Sequence, residues 1–166
     1  MQEHEVINAV VASRVKTQAF ADIPEEDSIT HDAVNHPPHY TSHPSGIEAI
    51  QITGKLPFAL GNAVKYLMRS RYKKNRIEDL KKAKWYLEYH AKNWAKVFET
   101  YELHLILKQF QRTVMAKSYK ECEEDRILVR LFNIWTHDRL ADVNPASELQ
   151  ACIGAITQLV AHLESK

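Results

Sequence analysis

"IEDLKKAKWYLEYHAKNWAKVFETYELHLILKQFQRTV", residues 77–114, runs for thirty-eight residues without a glycine or a proline. Ile77, Leu80, Leu87, Ala91, Trp94, Phe98, Tyr101 and Leu105 recur at spacings of three and four, with Lys84 where another apolar residue would sit. That period belongs to one face of an α-helix. The stretch therefore reads as the seam of a long helix or a helix pair, and the shift in pattern near residue 101 marks a candidate break. Glycine is scarce, four in 166 residues, and no segment alternates as a strand would. The expected fold is all-α, with a long central helix or helix pair and a Pro/His-rich N-terminal loop.

Working outward, residues 3–20 place Val6, Ile7, Val10 and Val11 on one face of a short amphipathic helix. Residues 21–46 hold four of the six prolines and read as a linker or functional loop. Short helices are expected over 47–53 and 57–70, the second with Pro57 near its first turn. A further helix is expected over 121–137. The last begins with Asn144 as N-cap and Pro145 at the first helical position. Three segments follow from this: 1–32, an N-terminal helix and linker; 33–99, a helical core; 100–166, a C-terminal helical extension packed on the core or on a partner subunit. Trp85, Trp94 and Trp135 need facing surfaces, so a homo-oligomer is expected beside packing within the chain.

Composition bounds the rest. A 45% hydrophobic share is that of a globular domain, and the net charge of +1 makes the whole chain no polycation. Cys122 and Cys152 form no CxxC pair, so no disulfide framework or cysteine zinc site is indicated. The start carries no basic region followed by an apolar run, and no apolar run approaches the roughly 20 residues that span a bilayer. A soluble cytoplasmic protein with no membrane partner is expected.

Charge is concentrated in one place. Nine Lys or Arg and two acids stand between Lys65 and Lys84, a local net of +7. Asn62, Lys65 and Arg69 are spaced three and four apart and share one helical face. An amide, a mobile ammonium and a planar guanidinium suit phosphate oxygens. Lysines also interleave with Tyr66, Tyr72, Trp85, Tyr86 and Tyr89, which has a nucleic-acid reading. That reading is set lower because Trp85 and Tyr86 fall in a helix of high core demand.

The blocks "VNHPPHY", "GIEAI", "LGNAVKYLMRS" and "IEDLKKAKWYL" follow one another over residues 33–90. In this order they resemble a phage-associated small nucleotide kinase-like family, long catalogued as a domain of unknown function, that includes the deoxynucleoside monophosphate kinases of T-odd coliphages. Asn35, His36, Pro37, His39 and Tyr40 match its first pattern. Gly61, Asn62, Lys65, Tyr66 and Arg69 match its second, and Glu78, Asp79, Leu80, Lys82 and Ala83 its third. Ser70, Arg71, Tyr72 and Lys73 stand where the family continues Ala-Gly-Lys-Lys, and Ala49 stands for its usual cysteine.

The resemblance implies a nucleotide-binding protein acting as a (deoxy)nucleoside monophosphate kinase without a phosphate-binding glycine loop. ATP or another nucleoside triphosphate would be the donor, with or without Mg. Lys65 and Arg69 are then the expected catalytic phosphate clamps, Lys73 a mobile third cation, Lys82 a further substrate-binding residue, and Asn62 a group that orients phosphate or base. Asp79 is expected to hold a ribose hydroxyl, a magnesium ion or Lys82. His36, His39 and Tyr40 stack on a base, touch phosphate or cap the loop. His31, His36, His39 and His43 also invite zinc, but their spacing matches no closed motif, so no metal ligands are assigned. Glu121–Asp125 reads as an exposed acidic first turn favoured by the helix dipole. The alternative function is non-catalytic, a protein that sequesters a nucleotide or inhibits a host protein through residues 100–166.

Overall fold

The computed structural model describes residues 36–95, 97, 100–136 and 144–166. The helix expected over residues 3–20 lies outside them, as do Asn35, His31 and Phe98. Among the described residues there are seven α-helices and no strand. They are α1 (Pro38–Thr41), α2 (Ala49–Thr53), α3 (Phe58–Arg69), α4 (Arg76–Lys92), α5 (Tyr101–Lys117), α6 (Glu123–Thr136) and α7 (Pro145–Glu164), with a 3₁₀ turn at Ser70–Tyr72. The all-α expectation holds.

The central stretch is a helix pair, not one rod. α4 ends at Lys92 and α5 starts at Tyr101, where Thr100 caps the new helix by accepting a bond from the Leu103 N–H at 3.1 Å. The seam carries through α4, where Leu80, Ala83 and Leu87 are buried. It does not carry into α5. Tyr101 and Leu105 face water, and the buried stripe is Leu103, Leu107, Phe110 and Val114. The phase of the pattern therefore differs between the two helices. Lys84 is a polar position on α4 that pairs with Glu88.

α3 turns Ala59, Leu60, Ala63, Val64, Leu67 and Met68 inward, the spacing of one apolar face. It packs on α2, α4 and α6, while α7 covers α4 and α6. The C-terminal helices thus pack on the same core as α3 and α4. Phe110 and Phe132 meet edge to face, 5.1 Å between centroids, and both are fully buried. Burial of each such side chain contributes about 1.5–3 kcal/mol.

Three local devices hold the site region. In a capping box at α2, the Glu48 N–H donates to Gln51 Oε1 at 2.9 Å. Gly61 lets α3 approach α2, since a Cβ there would lie 2.9 Å from the Thr53 carbonyl oxygen. Gly46, at φ 69°, turns the chain from the His43–Ser45 loop into α2. At the other end, Asn144 Oδ1 accepts from the N–H groups of Ala146 and Ser147, with Pro145 in the first turn of α7. Both features match the sequence expectation for that helix.

Candidate functional site

Arg69, the last residue of α3, is 8% exposed. Its Nε donates to Asp79 Oδ2 and its Nη2 to Asp79 Oδ1, each at 2.9 Å, while Nη1 donates to Tyr40 Oη at 2.8 Å. One guanidinium therefore ties α1, α3 and α4 together. Burial works against its charge, yet the hydrogen bonds and charge of Asp79, aided by Tyr40, hold its pKa above the ordinary value. Of the partners expected for Asp79, Lys82 is corrected: the side chain on its carboxylate is Arg69. Lys82 instead donates to Glu78 at the surface. The α3–α4 connection brings the Asp79 carboxylate under the guanidinium fork, and Lys82 lies one turn further out.

Tyr66 is the platform of the site. Arg69 Cζ lies 4.6 Å from its ring centroid, Lys65 Nζ 4.7 Å and Lys82 Nζ 5.7 Å. The ring stacks in turn on Tyr86 at 5.8 Å. Lys65 donates to Asn62 Oδ1 at 2.6 Å, and Asn62 Nδ2 donates to the Phe58 carbonyl at 2.9 Å. Asn62 thus acts from inside the helix to steer Lys65. Burial and the nearby Arg69 charge push the Lys65 pKa below that of an ordinary lysine.

Residues of this cluster line two separate concavities. One, of about 290 Å³, is lined by His36, Pro37, Tyr40, Ala49, Ile50 and Lys65. The other, of about 370 Å³, is lined by Arg69, Lys73, Lys74, Asp79 and Lys82. The first is mainly apolar and aromatic; the second is basic. Lys73 has no ion-pair partner among the described residues. The hollow of about 430 Å³ against α6 and α7 differs, because its arginines, Arg126 and Arg130, are committed to Glu123 and Glu148.

The histidine loop divides. His36 Nδ1 pairs with Glu48 at 2.9 Å on the rim of the apolar cleft. His39 packs against Tyr40 with centroids 4.3 Å apart, and burial with the charges of Lys73 and Arg69 lowers its pKa. His43 turns away into the core. Its Nε2 meets Asp125 Oδ1 at 3.0 Å, its Nδ1 meets Ser45 Oγ at 2.8 Å, and it stacks on Phe110. Among the described residues no three His, Cys, Asp or Glu side chains are grouped to hold a metal ion.

The acidic cluster is a second correction. Glu124 and Asp125 are 1% and 2% exposed. Glu124 receives Arg76 Nε and Nη2 at 2.8 and 3.0 Å, and Asp125 accepts from Ser118 as well as meeting His43. Long-range partners from the α3–α4 turn and the histidine loop compensate the burial, which short-range sequence cannot display. The rebuilt turn at Ser70–Tyr72 needs no glycine, because a 3₁₀ turn keeps Arg71 in the helical region.

Trp85 is 56% exposed and Tyr89 48% exposed, while Tyr86 is half-buried. The core demand assigned to Trp85 is therefore not met, because α4 turns that side chain outward. Cys122 and Cys152 are both buried, and burial pushes each thiol up to about 12.

Residues 34–88, about a third of the chain, match the family described as a protein of unknown function (DUF3310). No curated protein and no solved structure matches the chain. Among the described residues no helix is long and apolar enough to cross a membrane.

Proposed function

We propose that the protein binds a nucleoside monophosphate, with the base in the cleft beside Tyr40 and Ile50 and the phosphate on the cations around Tyr66. The observation that carries this reading is the placement of Lys65. It lines the apolar cleft and also stands over the ring that Arg69 and Lys82 approach. A ligand with an aromatic end and an anionic end fits that junction. Lys73 and Lys82 supply point charges; a charge-assisted hydrogen bond to phosphate contributes about 1.5–3 kcal/mol. Arg69 works through position, holding Tyr40 and adding to the field, since Asp79 engages its fork.

The resemblance to the phage nucleotide kinase-like family extends the reading to phosphoryl transfer from ATP or another nucleoside triphosphate. Such transfer relies on positioning and on neutralising equatorial oxygens, which lysines can supply. A coupled assay with ATP, Mg and each deoxynucleoside monophosphate tests it. Turnover that Lys65→Ala abolishes supports a kinase. Tight binding with no turnover supports a protein that sequesters the nucleotide. The observation on the side of this second reading is the engagement of Arg69 by Asp79 and Tyr40, because a guanidinium so held is not open to bridge two phosphates.

A further inference from the structure

We propose that the outer face of α3 and α4 is a binding strip for single-stranded nucleic acid, beyond the mononucleotide reading: it shares the cations around Tyr66 with that site and rests on a separate row of rings. Phe58 is 77% exposed, Trp85 56% and Tyr89 48%. Their rings form one continuous row. Trp85 stacks on Tyr89 at 5.6 Å, Trp85 meets Tyr86 edge-on at 4.9 Å, and Phe58 meets Tyr86 at 6.0 Å. Side chains this large and this apolar leave water readily for the face of an unpaired base.

The charge around the row selects the occupant. Lys81 and Lys82 lie one turn before Trp85, and Lys92 one turn after Tyr89. At its inner end the row runs through Tyr86 to Tyr66, where Lys65, Arg69 and Lys82 gather. Lys73 and Lys74 extend the basic ground. The acids present, Glu78, Glu88 and Glu164, each sit in a solvent-exposed pair with a lysine. Such pairs are weak, and a polyanion displaces them. A second copy of this face would set like charges against each other, whereas a strand brings phosphates to lysines and bases to rings. A duplex offers no open base faces to the row.

The test uses the full chain, fluorescein-labelled oligo(dT) of about 20 nucleotides, and anisotropy at several salt concentrations. The expected result is binding that quenches tryptophan fluorescence, with log affinity falling against log salt at a slope of about −2 for three phosphates. Trp85→Ala and Tyr89→Ala each weaken it about tenfold, keep the helical circular dichroism, and leave mononucleotide affinity unchanged. Absence of binding, affinity in both variants unchanged from that of the parent protein, or equal affinity for a duplex overturns the proposal. So does a dimer that buries Trp85 and ignores oligo(dT). Because neither ring lines the cleft of the mononucleotide site, failure of one reading leaves the other standing.

Discussion

Arg69 and Asp79 face each other through two parallel hydrogen bonds of 2.9 Å, with both side chains almost closed to water. This pair fastens the end of α3 to the first turn of α4 and fixes the floor under Tyr66. Removing one partner strands a buried charge.

Asp79→Ala is therefore expected to cost about 3–5 kcal/mol of stability, read from urea unfolding. The double variant Arg69→Met, Asp79→Leu recovers most of that loss, because no charge is left unpaired. A cost below about 1 kcal/mol for Asp79→Ala would match a surface pair and not this one.

Asp125 carries an acid sensitivity. Burial pushes its pKa up, but bonds from His43 and Ser118 outweigh it, and the folded value lies below the ordinary 3.8. A carboxylate with a depressed folded pKa contributes stability that is present above its unfolded value and lost as pH falls through the folded one. Urea midpoints are expected to drop below about pH 4. Asp125→Asn lowers stability at neutral pH and flattens that decline.

Lys65 predicts the alkaline limit of nucleotide affinity. Burial and Arg69 lower its pKa, so its proton leaves at lower pH than that of an ordinary lysine. Affinity is expected to fall on the alkaline side as the amine neutralises, beginning at lower pH than the loss of an ordinary lysine's proton at about 10.4. Lys65→Arg, which stays charged, moves the fall to higher pH. An identical profile in the two proteins would remove Lys65 from the site.

Two glycines in helices are expected to respond with opposite sign. Gly61→Ala drives a Cβ to 2.9 Å from the Thr53 carbonyl, a backbone atom, and is expected to cost about 1–3 kcal/mol. Gly154, on the exposed side of α7, has nothing within 4 Å of an added Cβ. Gly154→Ala is expected to stabilise by about 0.5–1 kcal/mol through helix propensity. Thermal melts of both variants check the pair.

Helices were legible wherever local chemistry marks an end or a face. Asn144 and Pro145 announced α7, and the three-four spacing of Leu80, Leu87 and Ala91 announced α4. The same spacing ran on through Tyr101 and Leu105 only by coincidence of phase, since α4 ends at Lys92 and α5 begins anew at Tyr101 with a different buried stripe. The basic block and the Asn62–Lys65–Arg69 face could be read from the sequence, while Asp79 entered only through the family resemblance. Which cation Asp79 takes could not be read, because Arg69 and Lys82 flank it and only packing decides. His43 and Asp125 stand 82 residues apart, and Glu124 and Arg76 48 apart. Buried pairs at such separations leave no periodic trace. An outward Trp85 is equally silent, since an aromatic at helical spacing reads as core until a neighbour fails to cover it.

The most direct measurement is calorimetric titration of the protein and of its Lys65→Ala variant with the four deoxynucleoside 5′-monophosphates. Saturable binding of at least one nucleotide, with affinity falling about tenfold or more in Lys65→Ala while its unfolding curve is retained, is the predicted result. No heat of binding with any of the four, or equal affinity in both proteins, would contradict the placement of a phosphate at Tyr66.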